Sequence, residues 1–248
     1  SDNSQIFNYS TVLVLDLSGS VTENSLAELK DASKSFIDAI MPAGSNTSYW
    51  MSIFWFDGED KLHELVPFTL SPTELKSGID GITQNISSDN STDLYGAVIK
   101  ATDIAIDDLT TNEQKGIIAA SSVVIFTDGT DQAGRYAKTA AIDKVENAPD
   151  GMTFFTIGLG GEIDESVLGD IGKTSFVSAV NIGELLDSFR EIGDLINNRA
   201  NSFYLLEYCS PKRSGNNQLT IEVIKGSLKG SANAQFNASD FNGSCNLD

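Results

Sequence analysis

The sequence is poor in the residues from which many active sites are built. It has one histidine, His63, and two cysteines among 248 residues. No serine or cysteine partner is implied for His63, so nothing supports a His-dependent nucleophilic pair, and the ring, in an expected edge strand, reads as solvated rather than catalytic. Cys209 and Cys245 form no C-x-x-C pair and stand beside no histidine cluster, which argues against a zinc site. They read as a disulfide closing a loop of roughly 36 residues, worth about 3–4 kcal/mol in the chain-entropy model. The alternative is two free buried thiols. A disulfide implies an extracytoplasmic chain, secreted or at the cell surface.

Basic residues are also scarce, at 16 against 35 acidic, for a net charge of −19. Such a surface repels nucleic acid and anionic lipid headgroups and favours cations and basic partners, although it can equally serve solubility alone. No apolar run approaches the roughly 18 residues of a membrane span. The chain begins at Ser1 without a visible leader, which reads as a removed leader or an excised segment. Internal repeats and low-complexity tracts are lacking.

What is present is a hydrophobic content of 40%, enough for a core at this length and for one large domain, or one domain with an appendage. Thr11–Leu17 is a continuous apolar run interrupted only by Asp16, the pattern of a strand buried on both faces. A helix is expected after Ser18-Gly19-Ser20, with Leu26, Leu29, Phe36, Ile37 and Ile40 on one face. Tyr49–Phe56 is a second strand, rich in aromatics from Trp50 to Phe56. It stops at Asp57-Gly58, across which Leu62–Phe68 is expected to fold back as a hairpin. Asp57, Glu59 and Asp60 there read as a solvated turn rather than a second cation site. Ser71-Pro-Thr-Glu74 carries helix-start residues, and a polar loop over 85–93 precedes a helix over Leu94–Leu109. Ser121–Thr127 is another buried strand, followed by a helix around Ala133–Val145 and a strand over Met152–Leu159. A short helix and the strand Ser175–Ser178 come next. The last helix is expected to bury Ile182, Leu185, Leu186, Phe189, Ile192 and Ile196.

Alternating strands and helices define an α/β class: a doubly wound, mostly parallel sheet with helices on both faces. From Phe203 the pattern changes to three short strands, Phe203–Tyr208, Gln218–Lys225 and Ser231–Phe236. The expected division is therefore 1–202 for the α/β domain and 203–248 for a disulfide-bracketed antiparallel β extension packed on it.

Strands that end in polar residues deliver them to the carboxyl edge of the sheet, where open α/β folds bind ligands. Asp16 and Asp128 arrive there from two strands. Two carboxylates about 4 Å apart repel by on the order of 4 kcal/mol at a near-surface effective dielectric. A divalent cation reverses that sign. Ser18 and Ser20 follow Asp16 at i+2 and i+4; their hydroxyls are hard, neutral oxygen donors, and Gly19 between them permits a sharp turn.

Asp16-Leu-Ser-Gly-Ser20 matches the D-x-S-x-S motif of von Willebrand factor type A domains. Ser91-Thr-Asp-Leu-Tyr-Gly-Ala97 resembles that family's threonine loop, Phe126-Thr-Asp-Gly129 its strand-end motif, and Thr156-Ile-Gly-Leu-Gly160 its following strand. The order and spacing hold over roughly residues 9–200. The resemblance implies a metal-ion-dependent adhesion site (MIDAS) in which Asp16, Ser18, Ser20, Thr92 and Asp128 hold one divalent cation. Mg²⁺ is the expected ion, with Mn²⁺ or Ca²⁺ as alternatives, and a Glu or Asp of a protein ligand completes its shell. Asp93, Tyr95 and Asp131 lie next to these positions, as supports or rim of the site or in ordinary surface and packing roles. The tail from Phe203 resembles extensions found after some bacterial type A domains, which implies a bacterial surface or secreted protein. The expected function is non-enzymatic, cation-dependent adhesion or protein interaction. Two alternatives are an intracellular-type assembly or scaffold subunit, against which the cysteine pair and the β tail argue, and a metal-assisted hydrolase. A hydrolase would need a general base beyond the acids already assigned as ligands.

Overall fold

The apolar runs of the sequence form the strands of a single six-stranded sheet. The computed structural model describes residues 7–41, 49–200, 210–239 and 241. By contacts along the chain it divides into two compact units, Ser1–Phe203 and Tyr204–Asp248. Cys209 and Cys245, and with them the expected disulfide, lie outside the described residues, as does the strand expected over 203–208.

In the first unit the strands are β1 (Phe7–Asp16), β2 (Tyr49–Phe56), β3 (His63–Thr69), β4 (Ile118–Thr127), β5 (Met152–Leu159) and β6 (Ser175–Ala179). Their order is β3-β2-β1-β4-β5-β6. All neighbours pair in parallel except β3, an antiparallel edge strand on β2. Strands β1, β2, β4 and β5 are nearly continuous in burial because helices cover both faces. Helices α1 (Gly19–Asn24), α2 (Leu26–Ile40), α3 (Pro72–Asp80), α4 (Leu94–Gln114), α5 (Lys138–Glu146), α6 (Glu165–Ile171) and α7 (Leu185–Ala200) complete the fold. Leu13 and Leu15 of β1 pack with α2, α3 and α7. Val12 and Val14, pointing the other way, pack with α4, α5 and α6. This is the doubly wound α/β architecture the sequence predicts.

Several boundaries differ from expectation. The first helix breaks at Ser25 into α1 and α2. The helix expected from Ala133 begins only at Lys138: the amides of Gln132 and Ala133 donate to the Thr92 carbonyl, and Gly134 adopts φ +62°. Ile182 opens a short 3₁₀ turn and Leu186 faces solvent, so α7 buries Leu185, Phe189, Ile192 and Ile196. His63 is only partly exposed, because its ring stacks on Trp55 at 3.9 Å between centroids. Asp57 is not part of a solvated turn, for it is fully buried.

The second unit, described by itself, contains a two-stranded antiparallel sheet of β7 (Asn216–Lys225) and β8 (Leu228–Asn237). Its strands cover the expected segments Gln218–Lys225 and Ser231–Phe236 and extend beyond them. The turn between uses Gly226 at φ +61°, a conformation that glycine adopts without a Cβ clash.

Candidate metal centre

The strand order reverses direction between β1 and β4, which makes the crevice beyond their carboxyl ends the topological switch point of the sheet. Asp16 is the last residue of β1, and Asp128 directly follows β4. Their position therefore follows from strand order alone.

Asp16 is fully buried. Its Oδ1 accepts the Ser18 amide at 2.9 Å and its Oδ2 accepts the Thr127 hydroxyl at 2.6 Å. Burial nevertheless outweighs these bonds and raises its pKa from 3.8 to about 7, with a further push from the charge of Asp128. Asp128 is half-buried; burial raises its pKa too, while the Ser20 hydroxyl, donating at 2.9 Å to Oδ1, opposes the shift. The Ser18 hydroxyl is buried and makes no well-formed hydrogen bond, although it lies near enough to Asp16 to favour the anion.

Thr92 is buried in the loop before α4. The loop is clasped on two sides. The Thr92 carbonyl accepts the amides of Gln132 and Ala133 at 2.9 and 3.1 Å, and the Asp93 amide donates to the Asp57 carbonyl at 2.9 Å. Asp131 ties the same region, accepting from the amides of Tyr95 at 3.1 Å and Gly134 at 3.0 Å. A carboxylate there also complements the amino-terminal dipole of α4. Asp93 is buried, with Oδ1 unpartnered among the described residues and Oδ2 3.5 Å from Lys100 Nζ; burial raises its pKa. Tyr95 is half-buried and packs its ring against the core beneath α4.

Gly19 acts here through close approach rather than through an unusual backbone angle. Its amide donates to the Asn90 carbonyl at 3.1 Å, and a Cβ on it would lie 2.9 Å from the Asn90 side chain. The D-x-S-x-S turn thus abuts the threonine loop. A groove of about 310 Å³ opens beside Asp128, lined by Ser20, Ser25, Gly160, Glu162 and Asn181 among others.

The donor set suits a hard divalent cation. Two carboxylates whose burial disfavours their charge, an orphaned buried hydroxyl and a second hydroxyl already on Asp128 converge on one strand-end crevice. Sequence alone assigns Thr127 no role of its own and places Asp57 in a solvated turn. Thr127 stands opposite Asp16 because Leu15 pairs with Phe126, a register that no local motif encodes.

An open, doubly wound sheet with acidic and hydroxyl donors at its switch point defines a cation-competent α/β domain. The von Willebrand factor type A domain model matches residues 11–196, most of the chain, and the protein belongs to that family. A comparison with curated proteins gives no match. Among solved structures, proximal thread matrix protein 1 from the mussel byssus is 17% identical with a TM-score of 0.62, over 78% of this chain and 49% of that one. This chain thus spans about half the mussel protein's length. The same mussel protein is known with a zinc-occupied MIDAS motif, at 16% identity and a TM-score of 0.61, over 78% of this chain and 49% of that chain. The vWF domain of the type V pili tip protein Mfa5 from Porphyromonas gingivalis is 13% identical with a TM-score of 0.60, over 82% of this chain and 99% of that chain. At these identities the likeness is one of fold. No helix among the described residues is long and apolar enough to cross a membrane.

Proposed function

We propose that this protein is a cation-dependent interaction module that binds a protein partner through one divalent ion held by Asp16, Ser18, Ser20, Thr92 and Asp128. The observation that carries the reading is the pair Asp16 and Asp128 at the switch point, both disfavoured as anions by burial, beside the orphaned Ser18 hydroxyl. When bound, the ion supplies a Lewis-acidic seat for an incoming carboxylate. Two carboxylates with several neutral hydroxyls leave a divalent ion underneutralised, so a Glu or Asp of the partner satisfies it. Thr127 and the Ser18 amide orient Asp16, and Ser20 orients Asp128. All proposed donors are oxygens, which favours Mg²⁺, with Mn²⁺ or Ca²⁺ as substitutes. The role is adhesive rather than enzymatic, at a secreted or cell-surface location. Residues 1–202 form the interaction domain and 203–248 its β extension.

The test is thermal unfolding in EDTA and in excess Mg²⁺, Mn²⁺ or Ca²⁺, for wild type and Asp128→Ala. An ion at 100 times its dissociation constant stabilises by about 2.7 kcal/mol, a rise of roughly 5–10 °C for a domain of this size. The rise is expected in wild type and not in the variant. Equal melting temperatures of wild type under all conditions would remove the basis of the reading.

A further inference from the structure

We propose a second metal site, selective for zinc-like transition metals, formed by Asp57, Glu59 and His63 in the connection between β2 and β3. One ligand atom from each lies within 4.8 Å of the others. His63 Nε2 stands 3.4 Å from Glu59 Oε2. In a tetrahedral zinc site with bonds of about 2.0–2.1 Å, neighbouring donors are separated by about 3.4 Å. This pair already has that spacing, and the Asp57 oxygen, within 4.8 Å of both, would close by at most about 1.4 Å.

Each group is prepared for the role. His63 Nε2 is buried and has no hydrogen-bond partner among the described residues, so its approach to Glu59 is not a well-formed hydrogen bond. The ring is held by its stack on Trp55, at an interplanar angle of 8°. Burial lowers the His63 pKa, which keeps the imidazole neutral and its lone pair available near pH 7. Asp57 is oriented as metal-ligating carboxylates are, by hydrogen bonds from the surrounding backbone. Its Oδ1 accepts the Glu59 amide at 2.9 Å and no other hydrogen bond among the described residues, leaving a lone pair for a metal. Its Oδ2 is committed to the Ser87 hydroxyl and to the amides of Ser88 and Asp89. Glu59 is half-exposed and free to adjust.

An imidazole nitrogen with two carboxylates suits Zn²⁺, Co²⁺ or Ni²⁺ better than Mg²⁺ or Ca²⁺, the reverse of the all-oxygen set at the switch point. Through Asp57, such an ion would brace the loop over 87–93 from behind.

His63 is the only histidine, so its ring resonances report this site without ambiguity. Zn²⁺ is titrated into Asp128→Ala protein in excess Mg²⁺, with the His63 ring protons followed by NMR; wild type in excess Mg²⁺ serves if the variant folds poorly. The signals are expected to move and to saturate at one equivalent of Zn²⁺, and Co²⁺ to displace them paramagnetically. Glu59→Gln, a change at a half-exposed side chain, should weaken binding by about tenfold or more. Ring signals that stay in place at millimolar Zn²⁺ overturn the proposal. So does an unchanged affinity in Glu59→Gln, which would reduce the effect to a lone imidazole.

Discussion

The Thr127 hydroxyl donates a 2.6 Å hydrogen bond to Oδ2 of Asp16, joining the ends of two adjacent strands across 111 residues of sequence. Removing a hydrogen bond to a charged acceptor costs about 1.5–3 kcal/mol. Thr127→Val keeps the shape and deletes the donor. Urea unfolding in EDTA at pH 8, where Asp16 is mostly ionised, is expected to show a loss of that size. Thr127→Ser should restore most of it.

The proton on Asp16 makes the metal-free protein sensitive to pH in an unusual direction. In the folded chain Asp16 holds its proton up to about pH 7, because burial disfavours the anion, whereas the unfolded chain releases it near 3.8. Between those values the unfolded state binds fewer protons, so stability falls as pH rises. Asp128, also raised by burial, acts with the same sign. The melting temperature in EDTA should therefore drop between pH 5 and pH 8, and drop less in Asp16→Asn. Excess Mg²⁺ should flatten the wild-type profile, since a bound cation stabilises the ionised carboxylates.

The contact of Gly19 with Asn90 predicts a non-additive pair. Gly19→Ala places a methyl 2.9 Å from the Asn90 Cβ, and overpacking of this kind costs about 1–3 kcal/mol. Asn90→Gly removes the obstructing side chain. A double-mutant cycle by chemical denaturation should show Gly19→Ala costing clearly less in the Asn90→Gly background.

How much of this was legible in the sequence depends on the range of the interaction concerned. The strands were readable because a run such as Val12–Leu15 needs no partner to declare burial on both faces. The motif Asp16-Leu-Ser-Gly-Ser20 was readable because its donors lie within five positions. Thr127 was quoted within a motif, but its bond to Asp16 depends on the register of β1 against β4. The helix expected around Ala133–Val145 starts only at Lys138, because the Thr92 carbonyl captures the amides of Gln132 and Ala133. Asp57-Gly58 looks like a tight-turn dipeptide. Nothing local reveals that amides and a hydroxyl from 87–89 converge on that carboxylate.

Those bonds give Asp57 a testable structural weight. Asp57→Asn exchanges one acceptor oxygen for an amide NH₂ that faces donors in either orientation. Each buried donor left without its acceptor costs about 1–3 kcal/mol. The variant should unfold at lower urea concentration than wild type. Its Mg²⁺-induced thermal shift should also shrink, because the Asp57 carboxylate anchors residues 87–89 of the loop that leads into Thr92.

The central place of β1 and β4 in the sheet also bears on how the chain is made. Synthesised at roughly 5–20 residues per second, the polypeptide takes about 5–20 s to extend from Asp16 to Thr127, the 111 residues that separate them. Throughout that interval β1 has β2 to pair with on one side and an open edge on the other, the kind of edge that invites pairing with another chain. Closing so long a loop is also a slow step on the route to the native topology. Asp128 emerges only after β4, so no cation can bridge the two carboxylates earlier. On the proposed reading, the ion latches β1 to β4 only once both strands have been made, with β5 and β6 still to be added to the sheet.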